Sequence, residues 1–247
     1  MTYTAYFTHG QPGNSRWLIT CDHATNVVPP VVPGADLGLP EVDMMRHIAY
    51  DPGAYGLARA LGEALNAPVV ASNFSRLVID PNRGEDDPTL LMKLYDGTII
   101  PANRHAAAAD RTARLEACYR PYHRAVANMA AAQGPEVVIV SVHSFTRQLR
   151  GRPPRPWEIG ILYPEAERFS PEVIRALKAS GDLTVGDNAP YNGYLPGDAI
   201  DTHATARGRP NTLIELRNDL ITTEVQQRNW AHRLAPTLQE ALERSGL

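Results

Sequence analysis

Two histidines and a glutamate in this chain each stand at the end of a short apolar run. They are His23 after the run at 17–21, His143 after 137–142 and Glu215 after 211–214. Runs of this length are typical of buried strands in α/β sheets, and ligands bind outside the carboxyl ends of such strands. Two imidazoles and a carboxylate that meet there can bind one catalytic metal ion, so the pattern favours hydrolytic chemistry over a purely structural role.

Each of these residues also has an ordinary structural interpretation. His23 follows Asp22, a carboxylate that can orient a metal-binding ring, but a histidine here can equally cap the following loop. The same two interpretations hold for His143. A buried carboxylate is costly unless it is paired. Glu215 therefore either pairs with a cation such as Arg217 or faces a polar cleft as a general base.

Arginines flank a third predicted strand. Arg76 precedes it, and the pair Asn82-Arg83 follows it. A guanidinium binds a carboxylate through two parallel hydrogen bonds, so two arginines near a metal suit an anionic substrate. Ordinary surface arginines are the alternative. Among the other histidines His203 stands out, because it lies in the long irregular segment 187–210, and such segments are usually functional in a compact domain.

Alternating strands and helices must position these residues. The predicted strands are 17–21, 69–71, 77–79, 136–142, 157–163 and 212–216. The predicted helices run from Pro52 to Asn66 or Ala67, over 104–133 with a kink near Pro121, over 171–180, and from Thr222 or Thr223 to near Gly246. This order predicts an α/β protein with helices on both faces of a mainly parallel sheet. No linker divides the chain, which predicts a single domain over 1–247.

Composition limits the partners and the compartment. The 247 residues are 43% hydrophobic, enough for a substantial core, and 24 basic against 27 acidic residues give a net charge of -3. This near-balance gives no reason to expect nucleic acid or an anionic membrane as a partner. Two cysteines, Cys21 and Cys118, are too few for a disulfide framework. With no signal-like start and no apolar stretch of ~18 residues, we expect a soluble cytoplasmic protein.

Several longer stretches together resemble a known family. They are CDHATN at 21–26 with Pro29, HIAYDPGA at 47–54, SRLVIDPNR at 75–83, VHSF at 142–145, DNAPY at 187–191 and IELRNDLI at 214–221. In this order, and spread over most of the chain, they resemble the N-formylglutamate amidohydrolase family. The resemblance implies a three-layer α/β/α fold of the zinc-exopeptidase-like (phosphorylase/hydrolase-like) type, with a mainly parallel mixed central sheet. That fold is shared with metallocarboxypeptidases and aspartoacylase.

The resemblance also implies one zinc ion, bound by His23, His143 and an oxygen ligand. The wider group has His-x-x-Glu at the first site, but the fourth residue here is Asn26. An amide oxygen is a poorer zinc ligand than a carboxylate. Asp51 is the other candidate for the third ligand, and Asp22 is less favoured.

The remaining roles follow from the same resemblance. Glu215 is expected to act as the base and Arg76 to stabilise the oxyanion, while Asn82 and Arg83 bind a substrate carboxylate and Asn188 and Tyr191 line the substrate pocket. The implied activity is a zinc-dependent amidohydrolase that cleaves a small N-acyl acidic amino acid, with N-formyl-L-glutamate as the leading candidate. Two alternatives stay open. One is a hydrolase of another N-acyl amino acid or small amide, and the other is a catalytically silent binding protein, which Asn26 in place of glutamate favours.

Overall fold

The computed structural model describes residues 3–13, 15–164, 167–193 and 195–247. Its strands are β1 (Tyr6–His9), β2 (Trp17–Cys21), β3 (Val69–Ser72), β4 (Leu94–Tyr95), β5 (Thr98–Ile99), β6 (Val138–Phe145), β7 (Ile159–Leu162), β8 (Val185–Asp187) and β9 (Asn211–Arg217). Within these ranges, seven strands form one sheet in the order β1-β3-β2-β6-β9-β7-β8, and β4 pairs with β5 in a separate hairpin.

The helices connect these strands across both faces of the sheet. They are α1 (Glu41–Met44), α2 (Ala54–Ala64), α3 (Pro101–Arg104), α4 (Ala108–Arg114), α5 (Arg120–Gln133), α6 (Phe169–Ala179), α7 (Ala199–His203) and α8 (Glu224–Ser245). Short 3₁₀ turns lie at Pro33–Ala35, Thr205–Arg207 and Asn218–Leu220, and a π-helical turn at Leu115–Tyr119. None of the helices in the described ranges has the length and apolar character that crossing a membrane requires.

The sheet is mixed, with a parallel centre. β3, β2, β6 and β9 run parallel, whereas β1 is antiparallel to β3 and β7 is antiparallel to β9. The carboxyl ends of the four parallel strands therefore share one edge, and the amino end of β7 joins them there. This architecture confirms the predicted α/β class with a mixed central sheet.

Side-chain alternation along β6 separates the two faces. Val138, Val140 and Val142 pack in a cluster with α2, α6 and α8, whereas Ile139 packs in a second cluster with α5. Because successive side chains of a strand point to opposite faces, Ser141 and His143 share the face that α5 covers. The layers therefore place polar residues beneath α5, at the carboxyl ends of the strands.

Some predicted elements are wrong. Residues 77–79 form a turn, not a strand, although Leu77, Val78 and Ile79 are fully buried in the cluster beneath α5. An apolar run reports burial, and burial alone does not distinguish a strand from a buried turn. β1, β8 and the β4-β5 hairpin were not predicted. The predicted helix 104–133 is divided into α3, α4 and α5, with the π-helical turn directly before the expected kink at Pro121.

The strands that carry the candidate residues are longer than predicted. β6 continues to Phe145, so His143 lies inside this strand and not beyond its end. β9 continues to Arg217, and Glu215 lies inside it, as the predicted strand 212–216 implies. The two residues are direct neighbours in the parallel register of β6 and β9. Side chains alternate between the two faces along each strand, and residues paired across neighbouring strands share a face. The side chains of His143 and Glu215 therefore point to the same face of the sheet.

Candidate functional site

Asp51 lies between the two candidate metal-binding histidines. Its Oδ2 atom is 3.3 Å from Nδ1 of His23 and 2.9 Å from Nδ1 of His143. All three side chains are buried, and one potential ligand atom from each lies within 4.8 Å of the others. Three residues that are far apart along the chain thus form one compact group of the kind that binds a metal ion.

A second carboxylate contacts the outer nitrogen of each ring. Nε2 of His23 is 2.7 Å from Oδ1 of Asp80, and Nε2 of His143 is 2.9 Å from Oδ2 of Asp22. Carboxylates in this position fix the orientation of metal-binding histidines and increase their basicity. The expectation that Asp22 orients its neighbour His23 is wrong, because Asp22 contacts the imidazole of His143 on the adjacent strand β6.

Arg76 is the cation in this group. Its Nε and Nη2 atoms donate to Oδ2 of Asp80 at 3.2 and 2.8 Å, and its Nη1 lies 3.6 Å from Oδ1 of Asp51. The guanidinium also stacks over the ring of Tyr95, 5.3 Å from its centroid. Two of its three nitrogens are therefore bound to Asp80, and Nη1 is left beyond hydrogen-bond distance from Asp51.

The buried group carries an excess of negative charge. Burial raises the pKa of Asp22, but the hydrogen bond and charge of His143 lower it to about 2. Burial likewise opposes ionisation of Asp51 and Asp80, yet the nearby imidazoles and Arg76 hold both pKa values below the usual range. Three carboxylates face one guanidinium, a deficit of two positive charges if both imidazoles are neutral. Burial lowers the pKa of His143, but Asp22 and Asp51 raise it well above its ordinary value, so a proton on this ring balances part of the deficit. Such a deficit is costly in a buried site unless a cation or protons balance it.

Glu215 projects into the same site from β9. Its residue is 7% exposed, and Oε2 is buried without a hydrogen-bond partner among the described residues. Burial raises the pKa of its carboxyl to about 7, although the positive charge of His143 opposes this shift. A carboxyl that titrates near neutral pH can accept and return a proton under working conditions. The alternative pairing of Glu215 with Arg217 does not occur, because Arg217 pairs with Glu158 and Asp219.

One cavity collects most of the residues predicted from the sequence. It is lined by His23, Asp51, Arg76, Asn82, Arg83, His143, Tyr191 and Glu215, together with Tyr95, Ser144, Leu162, Asn192, Leu195, Asp198 and Leu213. The two predicted residues that do not line it are Asn26 and Asn188.

Asn26 and Asn188 serve the backbone instead. The Asn26 amide nitrogen donates to the carbonyl oxygen of Met44 at 2.9 Å. The Asn188 side-chain oxygen accepts from the backbone N–H of Tyr163 at 2.9 Å, which fixes the segment after β8 against β7. Asp51, and not Asn26, is therefore the oxygen-bearing residue beside the two histidines. Asn188 supports the cavity wall but does not line the cavity.

Asp51 reaches the site because its segment is held at three points. Its backbone N–H donates to the carbonyl of His23 at 2.9 Å, and the Ser75 hydroxyl donates to the carbonyl of Ala49 at 2.7 Å. Gly53 has a positive φ of 81°, and a Cβ there would lie 2.3 Å from the carbonyl oxygen of Ile221. The glycine thus permits the tight turn that joins Asp51 to α2.

The cavity wall formed by the segment after β8 depends on a second close contact between backbone segments. A Cβ on Gly160 or Gly186 would lie 2.0 or 2.6 Å from the carbonyl oxygen of Ala189. Because neither glycine has a side chain, the segment after β8 lies directly on β7 and β8. This contact carries Tyr191 and Asp198 to the cavity.

His203, singled out in the sequence, lies beside the cavity wall and not in it. Its Nε2 is 2.8 Å from Nδ1 of His123, whose Nε2 is 3.0 Å from the carbonyl oxygen of Pro81. Burial and then the proximity of His123 lower the pKa of His203 to about 3, so the ring is neutral. Because Pro81 can only accept, His123 donates through Nε2 and accepts from His203. The pair thereby holds the turn that presents Asn82 and Arg83.

Two residues at the site were missed in the sequence, Asp80 and Asp198. Asp80 stands inside the stretch 75–83, two positions before Asn82, where a turn-like composition concealed its role. Asp198 lies in the long irregular segment and caps α7, its Oδ1 accepting from the N–H of Asp201 at 2.8 Å. The capping pattern was its one sequence signal.

The chain is thus an α/β protein with a mixed central sheet and a buried His-Asp-His group that is compatible with a metal ion. The chain belongs to the N-formylglutamate amidohydrolase family, whose model matches residues 15–222. The comparison with curated proteins found no match.

Three solved structures are similar to this chain. The gene product Atu2144 from Agrobacterium tumefaciens is 34% identical with a TM-score of 0.90, over 99% of this chain and 97% of that one. N-formylglutamate amidohydrolase from Ralstonia eutropha JMP134 is 21% identical with a TM-score of 0.66, over 98% and 97% of the two chains. A bacteriophage poly-gamma-glutamate hydrolase is 10% identical with a TM-score of 0.50, over 99% and 91%. The last two similarities concern the fold alone.

Asp198 predicts a pH-dependent loss of stability. Burial raises its pKa from 3.8 to about 7, so between these values the folded state keeps a proton that the unfolded state releases. The free energy of unfolding therefore falls as pH rises through this window, by at most about 1.4 kcal/mol per pH unit. Asp198→Asn keeps the helix cap and removes the titration. In urea unfolding at pH 4.5 to 7.5, we expect the variant to gain stability relative to the wild type as pH increases.

Asp86→Asn removes an exposed carboxyl and is the control for this experiment. If the free energies of unfolding of Asp198→Asn and the wild type changed in parallel with pH, the assignment would be contradicted.

Proposed function

We propose that this protein is a zinc-dependent amidohydrolase that cleaves small N-acyl acidic amino acids, with N-formyl-L-glutamate as the leading substrate. The observation that carries the proposal is the buried group of His23, Asp51 and His143 beside Glu215, whose Oε2 has no hydrogen-bond partner among the described residues. Family membership supports the reaction type, and the related Ralstonia protein is named for this activity. The expected cytoplasmic location goes with this proposal.

A divalent cation fits the residues that are present. His23, Asp51 and His143 provide two imidazole nitrogens and one carboxylate oxygen, a ligand set that suits catalytic zinc. The charge of such an ion would also offset negative charge that Arg76 leaves uncompensated. Bound there, the ion supplies a Lewis acid beside Glu215.

Glu215 would move the protons of the reaction. As water attacks the acyl carbon, the carboxylate takes one proton from that water. When the carbon–nitrogen bond breaks, Glu215 returns the proton to the leaving nitrogen, so a carboxylic acid and an amino acid are formed. Burial raises the pKa of this carboxyl, which favours its role in carrying the proton to the leaving nitrogen.

The arginines would bind negative charge at two places. Nη1 of Arg76 has no hydrogen-bond partner among the described residues and can donate to the oxygen that becomes negative during attack. Arg83 lines the cavity with Asn82, whose side-chain oxygen accepts from the N–H of Ala199 at 3.3 Å. We assign Asn82 and Arg83 to the α-carboxylate of the substrate. Tyr191 lines the pocket for the remainder of the substrate.

The alternative of a silent binding protein depended on Asn26 in the place of a glutamate ligand. Asp51 supplies a carboxylate beside both histidines, so the departure at Asn26 no longer favours that alternative. Hydrolysis of another N-acyl amino acid remains the competing proposal, since loop residues such as Tyr191 and Leu195 line the pocket and can set its specificity.

A substrate panel tests the proposed function. The zinc-supplemented protein is incubated with formyl-, acetyl- and succinyl- derivatives of glutamate and aspartate, and the freed amine is measured. We expect the highest kcat/KM for N-formyl-L-glutamate. A preference for a different acyl group would favour the competing proposal, and no release from any compound would contradict the enzyme.

Metal content distinguishes the two candidate third ligands. Asp51→Asn should weaken zinc binding by more than the about 10- to 100-fold that loss of an outer-shell partner costs. Asn26→Ala should bind zinc like the wild type, because its side chain contacts Met44 and does not line the cavity. Competition with a chromogenic chelator measures both affinities. The reverse order of effects would reassign the ligand to Asn26.

Glu215→Gln tests the proposed base. The amide keeps the size of the side chain but cannot accept the proton, so we expect kcat to fall by about 100- to 10,000-fold while zinc stays stoichiometric. Single-turnover kinetics and elemental analysis provide the two readouts. Glu136→Gln, at an exposed glutamate, is the matched control. Metal-replete Glu215→Gln protein with wild-type turnover would rule out this role.

A further inference from the structure

An acidic N-acyl amino acid has two carboxylates, and the assignment above accounts for one. Near the cavity Arg76 is bound to Asp80, so its charge is already shared. Arg83 and Arg155 have no carboxylate within ion-pair distance in the described part of the chain. Arg155, in the basic Pro-rich loop that joins β6 to β7, is therefore available for the second carboxylate.

Contacts with the cavity wall hold the Arg155 side chain in place. Its guanidinium lies 5.6 Å from the ring centroid of Phe145 and 5.0 Å from that of Tyr191. Nη1 donates to the carbonyl oxygen of Thr146 at 3.1 Å and to the hydroxyl of Tyr191 at 3.2 Å. Nε and Nη2 make no hydrogen bond to any described residue. A half-buried guanidinium between two rings thus keeps donors available next to Tyr191, which lines the cavity.

The two unpaired arginines belong to segments that adjoin different strands of the sheet. Arg83 follows β3 at one side of His23 and His143. Arg155 precedes β7, whose amino end lies beside the carboxyl end of β9 because these strands are antiparallel. Glu215 on β9 is therefore adjacent to β7, the strand into which the loop of Arg155 leads.

Apolar side chains line the cavity on the side of β7. Leu162 of β7 and Leu213 of β9 are partners in the antiparallel register, and both line the cavity. In this register the leucine pair lies on the side of Glu215 away from Arg155, because Glu215 pairs with Gly160 and the end of β7 nearest Arg155 pairs with Leu216. The leucines can thus contact substrate carbon beside Glu215, whereas Tyr191 joins the cavity to Arg155.

We propose that Arg155 binds the side-chain carboxylate of the substrate and makes the site selective for dicarboxylic N-acyl amino acids. This assignment rests on the proposed function and adds a specificity residue to it. Arg83 and Asn82 bind the α-carboxylate at the other end. The planar guanidinium suits this role, because it can donate two parallel hydrogen bonds to one carboxylate.

A comparison of N-formyl-L-glutamate with its neutral isostere N-formyl-L-glutamine tests the assignment. For Arg155→Met we expect kcat/KM to fall about 10- to 100-fold on the glutamate compound, as for loss of a hydrogen bond between charged groups. On the glutamine compound the loss should stay below about 3-fold, since its side chain is uncharged. Arg152→Met, which removes an exposed arginine of the same loop, should leave the ratio of the two kcat/KM values unchanged. Arg155→Lys keeps the charge without the planar fork and should retain part of the preference for glutamate.

Equal losses on both compounds would overturn the assignment, because an arginine that only holds Tyr191 in place would affect them alike. Arg83→Met should lower kcat/KM for both, since both carry an α-carboxylate. Absence of turnover by the wild type would contradict the proposed function instead. In that case calorimetric binding of L-glutamate and L-glutamine decides the specificity role: the wild type should prefer glutamate and Arg155→Met should not. Equal preference in the two proteins would reject it.

Discussion

The structure depends on a shared carboxylate, Asp51, which lies between two buried imidazoles. Around it, Asp22 and Asp80 contact the outer nitrogens of His143 and His23, and only one guanidinium offsets the three acids. A buried group with this excess of negative charge is unfavourable unless protons or a cation balance it. The buried residues therefore form a negatively charged group that a proton on His143 balances in part and that is compatible with a metal ion. The cost of assembling them is offset by the two hydrophobic clusters that enclose the sheet.

The residues of this buried group come from separate segments of the chain, and close backbone contacts position those segments. Gly53 lets the turn after Asp51 lie against Ile221, whereas Gly160 and Gly186 let the segment of Ala189 lie on β7 and β8. At each point a side chain would push one wall away from the cavity. Small residues here determine the width of the site, although none of them takes part in its chemistry.

Charge is divided between the two parts of the site. Carboxylates cluster around the histidines. Two guanidinium groups without a carboxylate partner among the described residues lie at the other part: Arg83 lines the cavity, and Arg155 contacts Tyr191 in its wall. This division suits a protein that binds a cation internally and an anion from outside. The neutral His123–His203 pair belongs to neither part; it fixes the backbone of Pro81 and so the direction in which Arg83 leaves the chain.

The sequence by itself determined the class of fold, the strands that carry His143 and Glu215, and most of the residues that meet in the cavity. These depend on local signals, namely apolar runs, helix caps and motifs in a fixed order. Only the tertiary structure placed Asp51, and not Asn26, beside both histidines, showed that Asp22 contacts His143 and not its neighbour His23, and made residues 77–79 a buried turn. Spacing along the chain does not encode which side chains meet across strands. That depends on sheet register and on loop contacts between residues tens of positions apart.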